Sequence, residues 1–336
     1  MPQLFLDSML EHCLELGASD LHLHPATSNY LVRIRVSGHL HPFKNISFSL
    51  GDKLISFLKF NAQMDIGEKR KPQSGQYERV LRNQKASLRV STLPNKTGRE
   101  SMVLRVYRYA EPLPFLETSL FRGTAKAIFQ SCESQTGLFL FSGSTGSGKS
   151  TSMYSLVSEL THQTEKQVIT IEDPVEHYHQ DFLQVEVNER AGLTYGTIIR
   201  SILRHDPDVL IIGEIRDAET AQMAIRAALT GHLVISTIHA SSLTGIIARL
   251  EELGVSKENL RHCLLGISFQ KIQALYCPLC QGACQLYCKH LSRKRTVLYE
   301  VETEQNKLKR MLEGQKNGPI LSLNKQLQKG FCYGFF

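Results

Sequence analysis

The residues most suited to chemistry lie in FSGSTGSGKST, Phe141 to Thr151. Gly143, Gly148, Lys149 and Ser150 satisfy G-x-x-x-x-G-K-[ST]. In that pattern backbone N–H groups surround phosphates, an ammonium sits beside the terminal phosphates and a hydroxyl meets Mg²⁺. The expected nucleotide contacts are therefore Gly143, Ser144, Thr145, Gly146, Ser147, Gly148, Lys149, Ser150 and Thr151. The bland alternative is a Gly/Ser-rich connector carrying a solvated lysine. Context argues against it: Leu138 to Phe141 reads as a short buried strand, and Met153, Leu156, Val157 and Leu160 then follow helical spacing. The loop thus ends at a helix N-terminus, where unpaired N–H groups and the dipole favour an anion.

Other polar groups end apolar strands. Glu172 and Asp173 follow Val168 to Ile171, Glu214 follows Val209 to Ile212, and His239 follows Leu233 to Ile238. In doubly wound sheets, functional groups gather at the carboxyl ends of strands. Phosphoryl transfer to water needs a cation held by hydroxyl and carboxylate oxygens, and a group that orients or deprotonates the water. These residues supply each part. Each also has an ordinary reading: His239 as a satisfied polar group, and Glu172 with Asp173 as a cap for the turn before Pro174.

Cysteines form a second constellation. CPLCQGACQLYC places Cys277, Cys280, Cys284 and Cys288 close together. Four thiolates can hold a tetrahedral Zn²⁺, with His290 as a substitute ligand. The competing reading is a helix starting at Cys277, whose stripe would carry Cys280, Cys284 and Cys288 into a core. Cys13, Cys132, Cys263 and Cys332 show no pattern and are expected as buried thiols.

The elements that must position these groups are legible in outline. Gln167 to Asp173, Asp208 to Glu214 and His232 to Ala240 read as nearly continuous apolar strands with helices between, as in a parallel sheet covered on both faces. Upstream, Leu6, Met9, Leu10, Cys13 and Leu14 have helical spacing that stops at Gly17. Strands are expected at Leu21 to Pro25 and Tyr30 to Leu40, and a hairpin at Ala86 to Pro94 and Ser101 to Tyr109. Arg89 and Arg105 lie one on each hairpin strand, a usual solvated face. The expected division is an α/β N-terminal domain over 1–109, a proline-containing linker over 110–119, a P-loop core over 120–243 and a mainly helical region over 244–336.

Composition sets bounds. A chain of 336 residues with 42% hydrophobic content can bury two cores, which excludes disorder as the default. The longest apolar runs are too short to span a bilayer, and Asp7 and Glu11 interrupt the N-terminal one, so neither a signal peptide nor a membrane anchor is expected. Eight cysteines without a secretory signal point to a reducing compartment. A net charge of +7 suits an anionic partner, nucleic acid or a membrane face, and equally mere solubility.

Taken together, the motifs resemble those of the secretion ATPases that drive type II secretion, type IV pili and competence pseudopili. GSTGSGKST is similar to the family's Walker A loop, TIEDPVE to its acidic box, RHDPDVLIIGEIRDAETA to its Walker B region and TGHLVISTIHA to its histidine box. ASDLHLHP, VRIRVSGHL and DIGEKRKPQSGQY resemble its N-terminal signatures, so the likeness covers most of the chain. It implies a RecA-like core, a smaller PAS-like N-terminal domain and a ring of six copies. It also implies roles: Lys149 on the β- and γ-phosphates, Ser150 and Glu172 on Mg²⁺, Glu214 as general base, His239 as γ-phosphate sensor, and Arg89 and Arg105 as arginines reaching the nucleotide. Two departures are Ser37, where the family pattern has aspartate, and Lys271, where it has arginine. The compact cysteine cluster and a front end without an additional domain resemble the competence branch of Gram-positive bacteria.

The resemblance implies a cytoplasmic, Mg²⁺-dependent ATPase at the inner face of the cell membrane. Its partners would be a polytopic platform protein and, indirectly, pseudopilins, with no direct nucleic-acid contact. A retraction motor, a RecA-like nucleic-acid motor and a nucleotide-gated scaffold are the alternatives.

Overall fold

A computed structural model describes residues 2–336 apart from 37, 82–83, 109–112, 134, 163–164, 176–177 and 316–318. The chain divides into two units, Met1–Ala110 and Glu111–Phe336.

In the first unit, helix α1 (Pro2–Leu16) buries Leu6, Met9, Leu10 and Cys13 and stops at Gly17. Gly17 has φ 75°, the left-handed conformation that glycine adopts without a Cβ penalty. Strands β1 (Ala18–Pro25), β2 (Tyr30–Val36) and β3 (His39–Ile46) precede helix α2 (Phe48–Asn61), and β4 (Gln73–Leu81), β5 (Gln84–Pro94) and β6 (Glu100–Arg108) follow it. The expected single strand over 30–40 is therefore two, turning at Gly38 with φ 89°. Ser37, the departure from the family pattern, lies outside the described residues.

The six strands form one antiparallel sheet in the order β3-β2-β1-β6-β5-β4. Period-two alternation sends Leu21, Ile34, Leu104 and Val90 to the buried face, and the adjoining row of Arg35, Asp20, Arg105 and Arg89 to the other. Behind the buried face lies a feature that no motif announced. Lys59 of α2 is fully buried, and its Nζ donates to Glu100 Oε1 at 2.8 Å and to the Glu68 carbonyl at 2.7 Å.

The second unit opens inside the expected linker, and that stretch is not free chain. A 3₁₀ turn at Phe115–Glu117 places Phe115 wholly within the core, and Thr118 and Ser119 are buried too. Residues 110–112 of the expected linker lie outside the described residues. Next come α3 (Arg122–Cys132), β7 (Gly137–Ser142), α4 (Lys149–Thr161), β8 (Val168–Glu172), β9 (Phe182–Glu186), α5 (Tyr195–Ile202), β10 (Val209–Ile212), α6 (Ala218–Leu229), β11 (Leu233–Ile238), α7 (Leu243–Glu252) and α8 (Lys257–Cys263). The remainder is β12 (Leu264–Ala274), the two-residue strands β13 (Tyr276–Cys277) and β14 (Gly282–Ala283), β15 (Arg295–Glu302), α9 (Gln305–Leu312) and α10 (Leu323–Cys332).

Seven strands form the main sheet, β15-β12-β7-β11-β10-β8-β9, parallel throughout except for the antiparallel edge strand β15. The near-continuous apolar strands have the expected cause, since helices cover both faces. Leu138, Leu140, Leu210 and Ile212 pack into one core with α5, α6 and α7, whereas Phe139, Phe141, Val209 and Ile211 pack into another with α3 and α4. The fold is thus α/β with a RecA-like arrangement. Beyond Thr244, where a mainly helical region is expected, α7, α8, α9 and α10 alternate with strands, and the segment returns β12 and β15 to the sheet, which its pattern did not announce. Cys13, Cys132 and Cys263 are buried as expected; Cys332 is exposed, because it ends α10 on the surface.

Candidate nucleotide site

Between β7 and α4 the loop turns through three glycines in the left-handed half of backbone space: Gly143 at φ 148°, Gly146 at 75° and Gly148 at 84°. A side chain at Gly143 is excluded twice over, by this φ and because a Cβ would stand 2.5 Å from the carbonyl oxygen of Gln270. Gly148 caps α4, so the first N–H groups of that helix face the loop. Lys149 folds over the loop, its Nζ donating to the carbonyls of Gly143 at 3.0 Å and Ser144 at 3.2 Å. An ammonium, open glycines and a helix N-terminus form the donor set that phosphates need.

Glu172, Asp173, Glu214 and His239 stand at the same carboxyl edge, since β7, β11, β10 and β8 are adjacent and parallel. Ser142 at the end of β7 ties it to the histidine segment: its Oγ donates to the Ala240 carbonyl at 3.1 Å and accepts from the Ala240 N–H at 3.0 Å. Glu214 and His239 meet directly, with Oε1 3.1 Å from Nε2. The other carboxylate oxygen of Glu214 accepts from Arg216 Nε at 2.8 Å. Arg216 also stands 3.6 Å from Asp173, and so joins the two acidic positions. Its guanidinium pKa is raised, first by the Glu214 hydrogen bond. Sequence reasoning missed Arg216, although it lies two residues past Glu214 in the quoted Walker B stretch; nothing in its spacing distinguished it from a solvated arginine.

Glu172 diverges from Asp173. Buried at the end of β8, its Oε1 accepts from Tyr154 of α4, from Thr170 at 2.8 Å and from Gln184 at 3.3 Å. Burial, and then the Glu172 charge, push the Tyr154 phenol well above its ordinary range, so it stays a hydroxyl donor. Tyr195 is pushed up to about 12, first by burial and then by Asp173. Both tyrosines remain neutral beside the acidic groups through the physiological range.

Arg89 and Arg105 belong to the first unit, directly opposite each other on β5 and β6. Like charges in that register repel, and a buried carboxylate relieves one of them: Arg105 Nε lies 3.0 Å from Asp20 Oδ1, and Arg35 stands 3.7 Å from the same side chain. Asp20 was not singled out in the sequence, because its partners are on other strands.

The cysteine cluster is no helix. It spans the β13–β14 turn region, and the Sγ atoms of Cys277, Cys280, Cys284 and Cys288 all lie within 4.8 Å of one another. The Cys277–Cys288 separation of 3.8 Å fits a tetrahedral ion whose Zn–S bonds of about 2.3 Å place ligands about 3.8 Å apart. His290 is not in the cluster.

Comparison with known proteins agrees with this geometry. The family described as Type II/IV secretion system protein matches residues 2–330. Competence protein ComGA of Halalkalibacterium halodurans is 40% identical over 296 residues, covering 87% of this chain and 85% of that protein. Competence protein ComGA of Bacillus subtilis is 37% identical over 334 residues, 98% of this chain and 93% of that one. Among solved structures, the pilus retraction motor PilT with bound ADP aligns over 98% of this chain and 94% of its own at 25% identity and a TM-score of 0.71. With its match running through both units, the chain belongs to the type II/IV secretion system protein family, the secretion ATPases.

Proposed function

We propose that this protein is a Mg²⁺-dependent ATPase and that rings of six copies use hydrolysis to assemble a competence pseudopilus for DNA uptake. The observation that carries the reading is the Glu214–His239–Arg216 cluster at the carboxyl edge that also presents the phosphate loop. Gly143 to Thr151 bind the phosphates, with Lys149 turning from the loop carbonyls to the β- and γ-oxygens. Ser150 and Glu172 would hold Mg²⁺; a hydroxyl and a carboxylate are the hard oxygen donors this ion prefers. When bound, Mg²⁺ neutralises charge that builds on the phosphate oxygens. Glu214 accepts the proton of the attacking water, held in place by Arg216 and His239. His239 reports whether the γ-phosphate is present. Arg89 and Arg105, presented by the first unit, stabilise charge in the transition state.

The competence role rests on the two ComGA relatives, which this chain matches along most of their length. No helix among the described residues is long and apolar enough to cross a membrane. Membership of the secretion system family supports a ring that acts from the cytoplasm at the inner membrane face, through a polytopic platform protein and indirectly on pseudopilins. The likeness to PilT is the observation that favours a second reading, a retraction motor.

The test is Mg²⁺-dependent ATPase activity measured against protein concentration, with and without DNA. Activity that rises with assembly and ignores DNA is expected. Strong DNA stimulation would put a nucleic-acid motor in its place, and nucleotide binding without turnover in the assembled ring would favour the gated scaffold.

Zn²⁺ is proposed for the cysteine site, where it would close the segment between β12 and β15. Elemental analysis is expected to find about one zinc per chain, lost on joint Cys277→Ser and Cys280→Ser substitution. A metal-free wild type purified without chelators would refute this.

A further inference from the structure

The phosphate loop has a floor that its motif does not include. Strand β12 runs beside β7 with Phe269 opposite Ser142, so Gln270 lies just beyond the end of β7, beneath Gly143. Its side chain is almost wholly buried. Gln270 Nε2 donates to the Ser147 carbonyl at 2.7 Å and to Ser152 Oγ at 3.2 Å. A carbonyl only accepts, so this contact also sets the orientation of the amide. On the neighbouring strand β15, Tyr299 is the register partner of Gln270. Its hydroxyl lies 2.8 Å from the same Ser152 Oγ and 2.9 Å from Thr118 Oγ1. Arg293 in turn donates to the carbonyls of Glu117 and Thr118. A buried chain of polar contacts therefore runs from the loop through β12 and β15 to the first turn of the second unit.

We propose that Gln270 and Tyr299 are positioning residues for nucleotide binding. The argument is geometric. The peptide unit joining Ser147 to Gly148 is planar and trans, so its C=O and N–H point in opposite directions. Gln270 holds that carbonyl from the β12 side, which aims the Gly148 N–H the other way, into the loop. Tyr299 and Gln270 together fix Ser152 in the first turn of α4, and with it the helix N–H groups that face the phosphates. Ile272, two residues on, also lies under the loop: its Cδ1 would stand 3.3 Å from a Cβ at Gly148.

The inference rests on the reading that the loop binds ATP, and the experiment separates the two. The full-length wild type, Gln270→Leu and Tyr299→Phe are titrated with a fluorescent N-methylanthraniloyl ATP, and steady-state ATPase and melting temperature are measured on the same preparations. Gln270→Leu is expected to raise Kd and KM about tenfold with kcat kept within about twofold, the effect of losing the two hydrogen bonds to Ser147 and Ser152 that shape the ground-state site. Tyr299→Phe is expected to raise both about threefold. A merely structural role would lower the active fraction, and hence kcat, at unchanged KM, and that result would overturn the proposal. So would Kd values within about twofold of wild type in both folded variants. Should Gln270→Leu not fold, Tyr299→Phe, which removes one oxygen, decides alone. A wild type that binds no nucleotide overturns the ATP reading and this inference with it.

Discussion

Glu214→Gln is expected to lower kcat for ATP hydrolysis by about 10²–10⁴-fold, the range for loss of a general base, while nucleotide Kd stays within about twofold. Glutamine keeps the size and shape of the side chain but has no site to take a proton from water at neutral pH. Its effect extends to the neighbours. Glu214 presents one oxygen to His239 at 3.1 Å and the other to Arg216 at 2.8 Å. An amide offers one oxygen and one NH₂: the oxygen can still accept from Arg216, while the NH₂ then meets His239 and requires the imidazole to present its unprotonated nitrogen. The substitution therefore fixes the tautomer of His239 as well as removing the base. Binding is expected to survive because the proposed phosphate contacts, Gly143 to Thr151, lie at a different strand end from Glu214. The measurement is kcat at saturating ATP beside an equilibrium titration; a decrease of less than about tenfold would assign proton transfer elsewhere.

The second large effect is on stability. Lys59→Met is expected to cost about 3–5 kcal/mol, because it leaves the Glu100 carboxylate buried without its cation. In a domain of this size that corresponds to a fall of roughly 15–30 °C in the melting of the first unit. The lysine is fully buried, and its ion pair with Glu100 at 2.8 Å ties α2 to the first residue of β6. The Glu100 carbonyl meanwhile accepts from the Tyr30 hydroxyl at 3.3 Å. The same ammonium holds the Glu68 carbonyl, so its loss also frees the segment leading to β4. The double variant Lys59→Met with Glu100→Met is expected to regain most of the loss, since no uncompensated charge remains. Differential scanning calorimetry of both variants decides: a single variant that melts within a few degrees of wild type would mean that the pair anchors nothing.

Much of this protein was legible because its signals are local. The phosphate loop, the strand before it and the helix after it occupy one continuous stretch, and each is set by residues a few positions apart. The same holds for α1 with its stop at Gly17, and for the apolar strands whose ends carry Glu172, Glu214 and His239. A strand buried on both faces needs apolar residues at nearly every position, and that demand is written directly into the chain.

What only the tertiary structure decided is which distant residues meet. β12 and β15 escaped reading because their apolar content resembles that of the helices around them, and their place in the sheet depends on β7, far upstream. Gln270 gains its position under the loop only through that pairing. Tyr154 and Gln184 around Glu172, Arg216 between Glu214 and Asp173, and Asp20 between two arginines are likewise products of strand order. The four cysteines illustrate the division well. Their number and identity were plain in the sequence, but whether they line a helix or converge on one point depended on the backbone between them, and the turns at β13 and β14 bring the four sulfurs together. Residue types and short-range periods thus determined the chemistry on offer and the class of fold, while long-range pairing, which no local spacing encodes, determined which groups hold one another in place.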